Sequence, residues 1–120
     1  MYKKQKSYLF GSFGEFVARQ FLRCKGYRII EKNFRGKLGE IDIIALRKDV
    51  LCCVEVKARK RKEHLEISIS PQQLQRIERS ARNYVAQHTQ FHECVIRFDI
   101  VYVLFPFFPR HVKNILETSF

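Results

Sequence analysis

Asp42, Glu55 and Lys57 are the residues whose types and spacing could do chemistry. Glu55 and Lys57 fall within Val50 to Ala58, a stretch rich in branched residues and apolar at nearly every position, as strands covered on both faces are. Charge placed there needs a reason, because burying an unpaired ion costs several kcal/mol. The two lie two positions apart, so they share one face of the strand with a rise of roughly 6.6 Å between them, and both can reach one small ligand. Asp42 joins them through register. If Lys48 and Asp49 form a two-residue turn, Leu46 pairs with Leu51, and counting back sets Asp42 opposite Glu55. Directly opposed carboxylates on one face repel unless something positive lies between them. A divalent cation resolves the conflict: hard oxygen donors suit Mg²⁺ or Mn²⁺, and Lys57 beside them could orient or help activate a water for attack on a phosphodiester.

A purely structural reading stands beside this one. Glu55 could pair with Lys57, and Asp42 could cap a strand end or pair with an arginine. The Lys48-Asp49 turn lacks the Asn-Gly chemistry that fixes register, and a three-residue loop would send Asp42 to the other face.

The elements that must position these residues can be read from periodicity. From Leu9 to Cys24, the residues Phe13, Phe16, Val17, Phe21 and Cys24 recur at three- and four-residue steps, which predicts an amphipathic helix closed by Gly26. Tyr27 to Asn33 reads as a short strand, Arg35 to Gly39 as a basic loop, and Glu40 to Leu46 as a second strand. Val50 to Ala58 is the expected centre of the sheet. Ser70-Pro71-Gln72-Gln73 opens a second helix, with Ser70 as N-cap and Gln73 placed to complete a capping box. Its Leu74, Ile77, Ala81, Tyr84 and Val85 are predicted to face the core, with Arg76, Arg79 and Arg82 outward, where a phosphate backbone could meet them. Cys94 to Leu104 predicts another strand, followed by an aromatic turn over 105–109 and a short terminal element. A mixed sheet flanked by helices follows from this order, within one domain over 1–120.

Subtracting 12 acidic from 23 basic residues leaves +11, and a pI near 9.8 in 120 residues implies a polyanionic partner, nucleic acid first among them. Met1 to Phe10 carries no apolar stretch long enough for a signal peptide and no later run could span a bilayer, so a cytoplasmic protein without membrane association is expected. Cys24, Cys52, Cys53 and Cys94 show no C-x-x-C spacing and read as buried free thiols. His88 and His92 lie four apart and could hold a metal on a helix, although Thr89 and Phe91 suggest that the helix ends there.

Gly14-Glu15, Gly39-Glu40-Ile41-Asp42-Ile43-Ile44-Ala45, Val54-Glu55-Val56-Lys57-Ala58-Arg59 and Arg97-Phe98-Asp99 together resemble the UPF0102, or YraN-like, family. That family is similar in turn to archaeal Holliday junction resolvases and to the PD-(D/E)xK nucleases. The resemblance implies a restriction-endonuclease-like fold and a Mg²⁺- or Mn²⁺-dependent phosphodiesterase site acting on DNA, with branched DNA a natural substrate and a homodimer a natural assembly. It implies that Asp42 and Glu55 match the metal ligands, Lys57 the catalytic lysine and Glu15 a first-helix carboxylate, though by periodicity Glu15 falls roughly opposite the stripe of Phe13, Val17 and Phe21. Many relatives carry a lysine near the start of the second helix, where this chain has Gln72 and Gln73. Arg35, Lys37, Arg59, Arg61, Arg76 and Arg79 are the expected nucleic-acid contacts, Arg59 and Arg61 as a phosphate-gripping strand exit. A binding module on the same fold, with the basic surface and no catalysis, is the alternative function.

Overall fold

The computed structural model describes the backbone of residues 2–59, 70–104, 106 and 108–115, with side chains from residue 11 onward. Arg61, His64 and Phe107 lie outside the described residues. In chain order the elements are α1 (Tyr2–Cys24), β1 (Arg28–Gly36), β2 (Gly39–Arg47), β3 (Val50–Arg59), α2 (Pro71–Gln87), a 3₁₀ turn (Thr89–Phe91), β4 (Val95–Leu104) and β5 (Phe108–Val112). The strands form one sheet in the order β1-β2-β3-β4-β5. All neighbours are antiparallel except β3 and β4, which run parallel, so this is the expected mixed sheet of a restriction-endonuclease-like fold. The terminal element, β5, is an edge strand.

β3 is central because both of its faces are apolar. Leu51 and Cys53 join the cluster under α2 with Ile44, Ile77, Ala81, Tyr84 and Ile100. Cys52 and Val54 join the cluster under α1 with Ala18, Leu22, Ile43 and Val101. The turn that decides register is the two-residue form: Arg47 pairs with Val50 and Leu46 with Leu51 around Lys48 and Asp49. Lys48 takes the left-handed φ of 56° that such a turn asks of a central residue. The start of α2 follows its sequence signature, since the Gln73 N–H donates to Ser70 Oγ and the Ser70 N–H donates to Gln73 Oε1.

α1 differs from its predicted orientation. Its buried stripe is Gly14, Ala18 and Leu22, with Val17 and Phe21 half-buried on one flank, whereas Phe13, Phe16 and Cys24 are exposed. The helix runs too close to the sheet for a bulky seam: a Cβ added to Gly14 would sit 3.0 Å from that of Ala58. Glu15 is therefore not opposite the core-facing side. It lies three positions from Ala18, about 60° around the helix from the buried stripe, and is half-buried.

The β1–β2 hairpin is tight as well, with Gly36 paired to Gly39 around Lys37 and Leu38. Gly39 has φ of 147°, and a Cβ there would lie 2.7 Å from Ser80 Oγ of α2. Gly39→Ala is expected to lower stability by about 1–2 kcal/mol, through backbone strain and this contact. Gly11→Ala is the control, since a methyl added there meets nothing within 4 Å and a helix interior favours alanine. Chemical denaturation of both variants checks the pair; equal stabilities would contradict the role given to Gly39.

Candidate functional site

Beyond the Ile43–Val54 pair β2 and β3 stop exchanging ladder bonds, and Asp42 and Glu55 both line the cleft that opens there. Asp42 replaces the missing ladder acceptor: its Oδ2 accepts the Val56 N–H at 2.8 Å. The strands fork here. A cleft of about 370 Å³ opens on the α2 face, lined by Glu40, Asp42, Glu55 and Lys57 from the sheet and by Gln73, Arg76 and Ile77 from α2. Glu55 and Lys57 are only 26% and 16% exposed in their side chains. Their separation, 3.8 Å from Nζ to Oε1, is an ion pair without a hydrogen bond.

The electrostatics show that the site is short of positive charge. Burial raises the Asp42 carboxyl above its ordinary range; the Val56 N–H and Lys57 pull it down, while Glu40 adds to the rise. Burial, and then the Asp42 charge, push Glu55 up to about 7 against the opposing pull of Lys57. Glu15 is likewise raised, by burial first and by Asp42 next, so the first-helix carboxylate lies within the field of the same carboxylate. The features of the structural alternative are present as well: Glu55 pairs with Lys57, and Asp42 caps the Val56 amide at the ladder end, yet burial and the Asp42 charge outweigh the pull of Lys57 on Glu55. Asp42 does not pair with an arginine; its partner is a backbone amide.

Two carboxylates in a half-buried cleft, with one Asp42 oxygen not engaged by Val56, fit a hard cation that keeps several waters and takes one or two carboxylates from the protein, as Mg²⁺ does. Among the described residues no group of three or more His, Cys, Asp or Glu side chains is placed to hold a metal. The histidine pair is otherwise occupied: the His88 ring is 2.8 Å from the Tyr84 carbonyl and the His92 ring 3.0 Å from that of Val85. Of the cysteines, Cys52 and Cys53 are buried free thiols, whereas Cys94 is half-buried and Cys24 exposed.

The basic residues are divided. Arg76 and Gln73 line the cleft, so Gln73 caps α2 and faces the site at once. Arg79 is exposed on α2, and Arg82 is held by Glu78 at 2.6 Å. Arg35 pairs with Glu40 at 3.5 Å on the hairpin, Lys37 stands exposed at its tip, and Arg59 is half-buried with Nη1 donating to the Ala58 carbonyl. Glu40 escapes the sequence reading, although its position two before Asp42 marks it for the same strand face.

The Arg97-Phe98-Asp99 motif does not join this cleft. Asp99 is fully buried on the α1 face, accepting from Arg97 Nε at 3.0 Å and Nη2 at 2.9 Å, from the Asn114 N–H at 3.0 Å, and lying 2.8 Å from His111 Nε2. Arg97 Nη2 also donates to Tyr27 Oη at 2.5 Å, and Lys25 Nζ lies 2.6 Å from His111 Nδ1. A charged lysine only donates, so His111 accepts at Nδ1 and donates from Nε2 to Asp99. This network fastens β4, β5 and the end of α1 together.

The sequence profile described as "Uncharacterised protein family UPF0102" matches residues 14–103. A UPF0102 protein of Brucella canis is 39% identical over 110 residues, covering 92% of this chain and 87% of its own length. Others from Sinorhizobium medicae and Bradyrhizobium diazoefficiens are each 38% identical, covering 92% and 91% of this chain and 91% and 82% of theirs. The matched span takes in Glu15, the forked β2–β3 pair and the buried Asp99, and with that breadth of identity the chain belongs to the UPF0102 family.

Proposed function

We propose that this protein is a metal-dependent nuclease that hydrolyses phosphodiester bonds in DNA, branched DNA included, at the cleft between β2, β3 and α2. The observation that carries this reading is the meeting of Asp42 and Glu55 in one cleft, both carboxyls raised, with Lys57 beside them at 3.8 Å from Glu55. Asp42 and Glu55 would hold Mg²⁺ or Mn²⁺. Such an ion supplies Lewis acidity at a phosphoryl oxygen and a more acidic bound water.

The chain's own residues account for the rest. Lys57, a donor with three N–H bonds, orients the attacking water and meets charge developing on the phosphate. Gln73 and Arg76, on the α2 wall, grip the incoming phosphate group, and Lys37 and Arg79 extend the positive approach. Among the described residues no helix is long and apolar enough to cross a membrane, and the charge of +11 favours a polyanion.

Purified protein is expected to cleave at least one of linear duplex, single-stranded and four-way DNA when Mg²⁺ or Mn²⁺ is added, and Lys57→Ala is expected to lose that cleavage. If no substrate is cut while DNA binding survives Asp42→Asn and Glu55→Gln, the protein is a binding module and the nuclease reading is wrong.

A further inference from the structure

A second concentration of positive charge lies on the α1 face, at the end of the sheet away from the cleft. Arg47, Lys48 and Arg97 line a pocket of about 100 Å³ together with Tyr27, Val50 and a single carboxylate, Asp49. Two guanidinium groups share one ring there: Arg47 lies 5.8 Å and Arg97 6.0 Å from the centre of Tyr27. Lys25 and Lys113 bear on the same region. Burial, Lys113, Arg97 and Arg47 all lower the proton affinity of Lys25, with Asp99 opposing them.

Asp99 pairs with Arg97 and leaves Arg47 and Lys48 without a share of its charge at hydrogen-bond distance. Its oxygens already accept from Arg97, the Asn114 N–H and His111 inside the fold. What that buried carboxylate does is lock one guanidinium in place. Arg97 is bound through Nε and Nη2, which leaves Nη1 with no partner among the described residues, and its side chain is still 21% exposed. A guanidinium fixed in advance loses little freedom on meeting an anion, and its planar fork matches phosphate oxygens. Like charges gathered on one aromatic ring, at a concave and partly exposed spot, call for an anionic ligand.

We infer that the pocket between Tyr27, Arg47, Lys48 and Arg97 binds a phosphate group. Its source is either the nucleic-acid backbone or a free phosphate. The first source rests on the function proposed above; the site itself does not. The cleft and this pocket lie on opposite faces of the sheet, so one straight duplex cannot occupy both. A duplex that bends around the sheet end, or a second arm of a branched substrate, can.

The test reads binding in buffer free of divalent metal, so failure of the nuclease reading leaves it intact. Inorganic phosphate is titrated into the full-length protein while NMR follows the Nε–H signals of Arg47 and Arg97 and the amides of residues 47–50. Saturable shifts are expected, at least tenfold weaker in Arg47→Gln/Lys48→Gln, a variant of two exposed residues whose melting temperature should not move. Equal shifts with chloride at matched ionic strength, or none with phosphate, overturn the proposal. In a second arm, long duplex and four-way DNA are expected to bind the double variant at least fivefold more weakly, with a salt dependence lower by about two. Phosphate shifts with unchanged DNA affinity support the site and assign it to free phosphate.

Discussion

At pH 8 and without divalent metal, Glu55→Gln is expected to melt roughly 10 °C higher than the wild type, and with metal present to lose DNA hydrolysis on the order of 10³-fold or more. Both effects have one origin. Burial and the neighbouring Asp42 charge move the Glu55 carboxyl from 4.5 to about 7. The folded chain therefore holds a proton that the unfolded chain releases, and stability falls as pH rises from about 4.5 to about 7 and stays low above it. At about 1.4 kcal/mol per pH unit the cost reaches about 3 kcal/mol. Glutamine keeps the shape and removes the charge, but it also removes an anionic oxygen from the cleft. Thermal melts at pH 4 and pH 8 check the sign: the two proteins should coincide at pH 4 and separate at pH 8. A wild type that melts as high at pH 8 as at pH 5 would contradict the strain assigned to this carboxylate.

The opposite response is expected at Asp99. Its burial favours the neutral form, yet hydrogen bonds from His111, Arg97 and the Asn114 N–H outweigh that and hold it down at about 2. Asp99→Ala leaves the mostly buried Arg97 guanidinium with only Tyr27 Oη as partner and His111 Nε2 without its acceptor, so a loss of roughly 3 kcal/mol is expected. Urea denaturation should show it directly, and a loss below about 1 kcal/mol would mean that water replaces the carboxylate freely. For the wild type, this group adds stability that is complete above about 3.8, its ordinary value, and is lost as pH falls toward 2. Stability should therefore peak near pH 4, between the range where Glu55 strains the fold and the range where Asp99 is protonated.

Local signals carried most of the framework. Ser70 and Gln73 announce the start of α2, the branched run marks β3 as central, and the turn at Lys48 and Asp49 settles the register from Arg47–Val50 to Ile43–Val54, beyond which Asp42 and Glu55 line one cleft. Phenylalanine misleads in α1: Phe13 and Phe16 suggest the packed side by hydrophobicity, whereas the separation between helix and sheet admits only Gly14 and Ala18 there. The network around Asp99 was not legible for a different reason. Lys25 and His111 are 86 positions apart, and no local period joins residues brought together by sheet order alone. Glu40 was legible and overlooked, since alternation from Asp42 points to it.

Past Ile43, the tip of the β1–β2 hairpin has no ladder to β3; a single carboxylate grasps the Val56 amide instead. The arm carrying Arg35 and Lys37 is seated on α2 at Gly39 and tied to β3 by the side chain that, in the function proposed, would also grip an ion. If the cleft takes an ion as proposed, loading it would compete with the tie that holds the hairpin to β3, and the metal-free protein would then present that arm to nucleic acid in a different posture.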